Sequence, residues 1–452
     1  MSDKISVFIF LLLGFLLPSI STLSYLEGFS VAFFLFYFIN FIKNFGRSVW
    51  LVLDLIVLLA CITWLITPLF FYHYYNQDND LANLWVKTMQ VDSNTYYSFV
   101  FPATMALSLG LHWPLIKKVQ FNYSLAALRA NGYFNRPNKV AYQLIGMSLL
   151  ATFLRPLIPG DLSYILYLFE KLLLLGLLYL FFSGNKPKKY ILLIGIGILV
   201  YSSIRSGMFG ELVYMLAIAS IILSLGLKYE FKKKLFIVIV GILLIVLLQS
   251  VKNEYRKVAW NTGADISYFG TLIIDRISNP LKILDDEGLF QIAVRFNQGW
   301  LISSTMSNVP NIVPFANGET IWQSLAAIAV PRFLWPNKPI SGGKANIDRF
   351  LGIKDISYSM NIGPIGEAYA NFGIFGGIIF MFFYGLFFLS VFNYMIKLTF
   401  SHPTIIFWIP LLFFYAIGVE SDMLTTINSL VKTAFFVLIL WKLYPIVFRQ
   451  EL

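Results

Sequence analysis

Apolar runs of about 20 residues follow one another along most of the chain, and no other feature of the sequence restricts its fold as tightly. Each run, as a helix, is long enough to cross a hydrocarbon layer of about 30 Å. A soluble core does not hide that much apolar length. Of the 452 residues, 58% are hydrophobic and only 13% charged, where soluble domains carry roughly 25% charged residues. The expected class is an all-α polytopic membrane protein. Helices are expected at roughly 6–22, 28–42, 48–72, 96–116, 139–158, 162–182, 189–204, 210–227, 234–250, 366–396, 403–418 and 426–446, about a dozen spans. The first follows Met1–Lys4 like the core of a signal peptide. It lacks a small-x-small cleavage site and many spans follow it, so it reads as a retained helix.

The net charge of +11 would suggest nucleic acid in a soluble protein. Here the basic residues crowd short connections between apolar runs. One set of connections holds Lys43 and Arg47; Lys117, Lys118, Arg129, Arg136 and Lys139; Lys186, Lys188 and Lys189; and Lys228, Lys232, Lys233 and Lys234. The alternate set is acidic or nearly neutral, with Glu27, Asp78, Asp80, Asp92, Asp161, Glu420 and Asp422. That alternation is the positive-inside pattern, and nucleic-acid binding drops out as a reading. It places the basic set and both termini in the cytoplasm of a bacterial inner membrane. Cys61 is the single cysteine and lies in an apolar run, so disulfides and cysteine-based metal sites within one chain are excluded.

The chain therefore divides into residues 1–250 with nine helices, 251–361 as a large extracytoplasmic segment, and 362–452 with three more helices. The middle segment is neither low-complexity nor polar enough for disorder, and unstructured loops of such length are uncommon. Leu289, Ile292, Ala293, Phe296 and Trp300 keep helical spacing, with Gln291, Arg295 and Gln298 on the opposite face. Thr320–Val330 is apolar, too short to span and stopped by Pro331, which suits an interfacial or re-entrant helix. A folded cap over the outer membrane face is expected. The sequence contains no phosphate-binding P-loop and no paired histidines at zinc spacing.

Ionisable residues inside spans are costly and therefore functional candidates. Glu170 and Lys171 sit mid-span, where a pair between helices is the structural alternative; Asp54 lies near a cytoplasmic helix end. Lys432 and Glu211 sit near outer ends, where they can snorkel or line a cavity. Outward arginines are the stronger candidates: Arg155 and Arg205 at helix ends, and Arg256, Arg276, Arg295, Arg332 and Arg349 in the large segment. Arginine stays protonated and offers paired planar donors to phosphate. His73, His112 and His402 are dispersed and read as helix-end residues.

Three stretches of this sequence resemble the Wzy-type oligosaccharide repeat-unit polymerases. Pro331-Arg332-Phe333-Leu334-Trp335-Pro336-Asn337-Lys338-Pro339 is similar to the family's outer segment of Pro-Arg and Lys-Pro pairs. Gly363-Pro364-Ile365-Gly366-Glu367-Ala368-Tyr369-Ala370-Asn371-Phe372-Gly373 is similar to its entry into the next helix, where Gly376, Gly377 and Gly385 continue the pattern. Gly373 with Gly377 gives a small-xxx-small face for close helix contact. The turn Ser202-Ser203-Ile204-Arg205-Ser206-Gly207 matches a further family feature. At residue level the resemblance covers about a quarter of the chain.

The resemblance implies a GT-C-like membrane glycosyltransferase that joins polyprenyl-diphosphate-linked units into O-antigen, capsule or exopolysaccharide. It implies cations for the departing diphosphate, a carboxylate to take the acceptor proton, and an amphipathic groove for two lipid tails. Arg205 and Arg332 are then the diphosphate clamps, with Glu367 as general base and Glu420 or Asp422 as its rival. Arg295, Lys338 and Tyr369 join Arg205 and Arg332 in binding substrate. No cofactor and no metal are expected; a chain-length co-polymerase is a possible partner. Three alternatives stay open. An O-antigen ligase shares the plan but uses a histidine in the large outer segment, and this one has none. A polyprenyl-monophosphate-sugar enzyme would show an acidic motif in its first outer loop, whereas Asp78-Asn79-Asp80 lies in the second. A lipid-linked oligosaccharide flippase would favour related halves and short outer loops.

Overall fold

The computed structural model describes residues 2–449 except 77, 86–87, 119–138, 159–160, 183–188, 227–228, 262, 264–265, 331–333 and 355–359. Helix accounts for 80% of it, with no strand. In chain order the first helices are α1 Ser2–Ile20, α2 Tyr25–Asn44, α3 Leu51–Ala60, α4 Thr67–His73, α5 Asp80–Trp85 and α6 Ser93–Leu111. Next come α7 Lys139–Leu154, α8 Asp161–Glu170, α9 Leu172–Phe182, α10 Lys189–Ser206, α11 Phe209–Ser224 and α12 Phe231–Asn261. The large segment holds α13 Ile266–Ser278, α14 Leu281–Leu284, α15 Asp286–Phe296, α16 Gly299–Asn308, α17 Glu319–Ala329 and α18 Lys344–Leu351. The chain continues with α19 Gly363–Leu398, α20 Ile409–Ile417 and α21 Met423–Phe448.

Among the described residues, eight helices are long and apolar enough to cross a membrane: Tyr25–Asn44, Leu51–His73, Lys139–Leu157, Ser163–Phe182, Lys189–Ser206, Phe231–Asn261, Gly363–Leu398 and Met423–Phe448. The other four expected spans are helical too but fall short of that measure. Ile9–Ile20, Phe209–Ser224 and Pro403–Ile417 are short, and α6 opens on the polar run Ser93-Asn94-Thr95. The expected helix 234–250 runs on to Asn261, because Val251 and Tyr255 pack into a small apolar cluster with Phe209, Phe269 and Leu272.

Among the described residues, the basic connections and the acidic or neutral ones lie at opposite ends of the bundle; Arg129, Arg136, Lys186, Lys188 and Lys228 lie outside the described residues. At one end, Lys234 donates to the Lys43 carbonyl at 3.0 Å. At the other, Tyr74 donates to Asp286, Arg295 pairs with Glu420 and Gly342 donates to Thr425. The turn after α4 and the turn before α21 therefore meet the described residues that follow α12 at what we term the cap end.

Between α3 and α4 the chain forms a π-helical turn, Cys61–Ile66. Such a turn releases carbonyls from the regular ladder. Here they dock neighbours: Gln298 N–H bonds Thr63 O, Tyr96 hydroxyl bonds Trp64 O at 2.9 Å and Tyr97 hydroxyl bonds Leu65 O at 2.6 Å. That seats α16, whose Leu301, Ile302, Ser303, Thr305 and Met306 are buried, against the bundle. The helix expected across Leu289–Trp300 breaks at Asn297. Its apolar face differs accordingly: Leu289 is 40% exposed, and Phe290 is fully buried against Phe71 and Tyr75.

Candidate functional site

A groove of about 860 Å³ runs between α8, α20 and α21 and is bordered at its cap end by residues 338–341. Its wall is apolar for most of its length: Leu168 and Phe169 on one side, Phe435, Phe436, Ile439 and Leu443 on the other. The apolar stripe follows from helical spacing on α21, where positions 435, 436, 439, 440 and 443 share a face. Near the cap the lining turns polar, with Tyr164, Lys338, Ser341, Tyr415, Thr425, Asn428, Ser429 and Lys432. Lys432 holds its ammonium 5.0 Å from the Tyr164 ring centre. Among the described residues it has no carboxylate partner. Lys338 donates to the Val330 carbonyl at 2.9 Å. The result is an elongated apolar trough with two cations at its head.

Beside that head lies a buried carboxylate pair. Glu367, 1% exposed, accepts from the Thr320 hydroxyl at 2.9 Å and from Met423 N–H at 3.0 Å. Asn371 ties this knot to the cap, donating to Thr320 and accepting from Gly318 N–H. Asp422 caps α21 by accepting from Thr425 N–H at 2.9 Å. Thr425 itself lines the groove and accepts from Gly342 N–H, so the cap of α21 links the carboxylates to the trough. Burial pushes the Asp422 carboxyl up, against the hydroxyl and N–H of Thr425 that favour its charged form.

Glu420 sits two residues away. Arg295 from α15 grips it at 2.5 and 2.7 Å, and the Tyr214 hydroxyl donates to it at 3.2 Å. Burial alone would raise its pKa, but Arg295, with Lys252 and the Tyr214 hydroxyl, more than reverses this and holds Glu420 below the usual carboxylate range. In return, the charge of Glu420 keeps the Arg295 guanidinium firmly protonated.

Of the residues expected from the sequence, three lie at or beside the groove head and the carboxylates. Lys338 reaches the groove, Arg295 faces Glu420, and Glu367 lies behind the groove wall. Arg205 is exposed at the end of α10, on a turn whose Ser206 and Gly207 carbonyls accept from Trp260 and Arg256. Arg332 lies outside the described residues. Tyr369 does not face the groove: its ring packs edge-on against Phe99 and Phe315 at 5.1 and 6.2 Å. It is 8% exposed.

Glu170 and Lys171 do not pair with each other; Glu170 bonds Arg155 at 2.6 Å and Lys171 bonds Glu211, which also accepts from Tyr167. Sequence reasoning did not single out Thr320 and Asn371, which are hydrogen-bonded to Glu367, nor Lys252, whose charge acts on Glu420. Only Lys252 carried a signal, a cation four residues before Arg256 on an apolar helix. Among the described residues, no group of three or more His, Cys, Asp or Glu gathers as a metal site.

No curated protein and no solved structure matches the chain. Over residues 9–399 it matches the family described as a domain of unknown function (DUF8712), and it belongs to that family.

Proposed function

We propose that this chain is a GT-C-like membrane glycosyltransferase that polymerises polyprenyl-diphosphate-linked oligosaccharide units at the outer face of a bacterial inner membrane. One observation carries the reading: an apolar trough with Lys338 and Lys432 at its head, adjoining buried carboxylates and an arginine. A polyprenyl chain fits the trough by apolar burial, and a diphosphate finds cations where the trough meets the cap. The basic turns at the opposite end support an outward-facing cap.

In the proposed reaction the acceptor hydroxyl oxygen bonds the donor's anomeric carbon. The bond from that carbon to the diphosphate breaks, and polyprenyl diphosphate leaves with the electron pair. A carboxylate takes the hydroxyl proton, and lysine and arginine stabilise the departing charge. Glu367 remains the proposed base, with Asp422 as its rival; either must become exposed when the 338–346 stretch moves off the groove head.

The test is a reconstituted assay with lipid-linked units extracted from a polymerase-deficient strain of the source organism, read as a product ladder on a gel. A ladder from the parent protein is expected, with loss of about a hundredfold or more in Glu367→Gln and Arg205→Ala. Transfer of one finished glycan to a lipid A core acceptor, without a ladder, would replace this reading with the ligase. Flux of labelled units across vesicles without any transfer would replace it with the flippase.

A further inference from the structure

The end of α12 brings two cations one helical turn apart, Lys252 and Arg256. Like charges at this spacing repel. Lys252 is only 5% exposed, and among the described residues its ammonium has no hydrogen-bond or ion-pair partner. Arg256 gives its Nε–H to the Gly207 carbonyl at 2.7 Å and lies 4.7 Å from the Trp260 ring centre. Arg295 approaches from α15, which is joined to α12 by Asn253 donating to Gln291 at 2.6 Å.

The three cations are within Coulombic reach of one another. Glu420 is the carboxylate that faces them among the described residues, and Arg295 already grips both of its oxygens. One negative charge against three positive leaves an excess of two. Burying like charge without a counterion opposes folding. An oxyanion arriving between Lys252 and Arg256 would supply the missing charge and accept their free donors.

We infer that Lys252, Arg256 and Arg295 form a half-buried oxyanion site that takes a phosphate or diphosphate group. Glu420 belongs to the site as the internal counterion that holds the Arg295 fork in place, leaving Lys252 and Arg256 for the ligand. Identifying that group as the diphosphate of a lipid-linked sugar rests on the function proposed above; the anion chemistry does not.

The experiment uses the full chain in nanodiscs of neutral phosphatidylcholine, titrated calorimetrically with inorganic pyrophosphate and, separately, with farnesyl diphosphate. Binding to the parent is expected, weakening as salt is added. Lys252→Met and Arg256→Gln should each weaken it about tenfold or more. Lys252→Arg, which keeps the charge, should stay within a few-fold. Lys282→Met, removing an exposed cation paired to Asp275, should match the parent.

Pyrophosphate binding identifies a site open to free phosphates. Binding of farnesyl diphosphate alone identifies a lipid-borne ligand. Competition by added phosphatidylglycerol, lost in Lys252→Met, identifies a lipid headgroup in the same place. No binding of either diphosphate, or parent-like binding by folded Lys252→Met and Arg256→Gln, overturns the inference. A glycan ladder with unaffected binding would sink this site and leave the polymerase standing. Binding through Lys252 with no glycan transfer would do the reverse.

Discussion

Arg295 and Glu420 meet across 125 residues of sequence, and their two hydrogen bonds fasten the cap to the turn before α21. Removing one partner of such a pair leaves the other charge poorly solvated. The side chains are 34% and 27% exposed, so solvent screening keeps the cost of Arg295→Met at about 2 kcal/mol, below that of a fully buried pair. Thermal unfolding in nanodiscs should show the loss. The pH dependence follows from the lowered pKa of Glu420. A carboxylate whose pKa is depressed on folding contributes stability above the unfolded value of about 4.3 and loses it as pH falls through the folded value. The parent should therefore hold this contribution into more acid solution than Arg295→Met, whose acid-induced loss should begin at higher pH. At this scale the sequence told which residues were charged and deep, but not their partners. Glu170 and Lys171 are adjacent in sequence yet point to Arg155 and Glu211, a choice made by helix rotation.

At the scale of elements, two helix backbones come close where α6 crosses α19. A Cβ added at Gly110 would stand 2.1 Å from the Phe382 carbonyl, and one at Gly385 would stand 2.4 Å from the Leu107 carbonyl. Backbone meets backbone there, the arrangement that small residues permit in membranes. Gly110→Ala should cost about 1–3 kcal/mol through the forced separation, read as a lower unfolding temperature. Gly146, with nothing within 4 Å, is the control, and Gly146→Ala should be neutral or slightly stabilising. The small-xxx-small face expected at Gly373 and Gly377 resolves differently. Gly377 does meet a neighbour, the Phe99 ring, but Gly373 adopts φ 64° and ψ −158° and breaks the helix. Spacing revealed a run of glycines, and only the backbone distinguishes a contact from a kink. Apolar periodicity located the helices well because lipid and core demand the same pattern. The course of the cap was less legible, since α16 is held by carbonyls released in a π-turn that no residue pattern marks.

The whole molecule is polar in the sense of having two unlike ends. Lys43, Lys117, Lys118, Lys232, Lys233 and Lys234 border one end, and the cap with its carboxylates and arginines forms the other. Cysteine labelling tests which end faces outward, because Cys61 is fully buried and contributes little background. Leu284→Cys, at a cap position 62% exposed, should react with an impermeant maleimide on intact spheroplasts. Lys233→Cys should react only after lysis. The reverse pattern would place the cap in the cytoplasm and remove the proposed reaction.

The groove is open sideways. Ile165, Phe435, Ile439 and Leu443 line it and remain 46%, 64%, 40% and 51% exposed, so in a bilayer their free faces meet acyl chains. A guest that enters by that route never leaves the membrane plane, and its search takes place in two dimensions. The quantity that governs occupancy is then its mole fraction among the lipids, and the bulk concentration loses its meaning. Diluting the guest with inert phospholipid should lower its occupancy of the groove even when the amount of guest per millilitre is held constant.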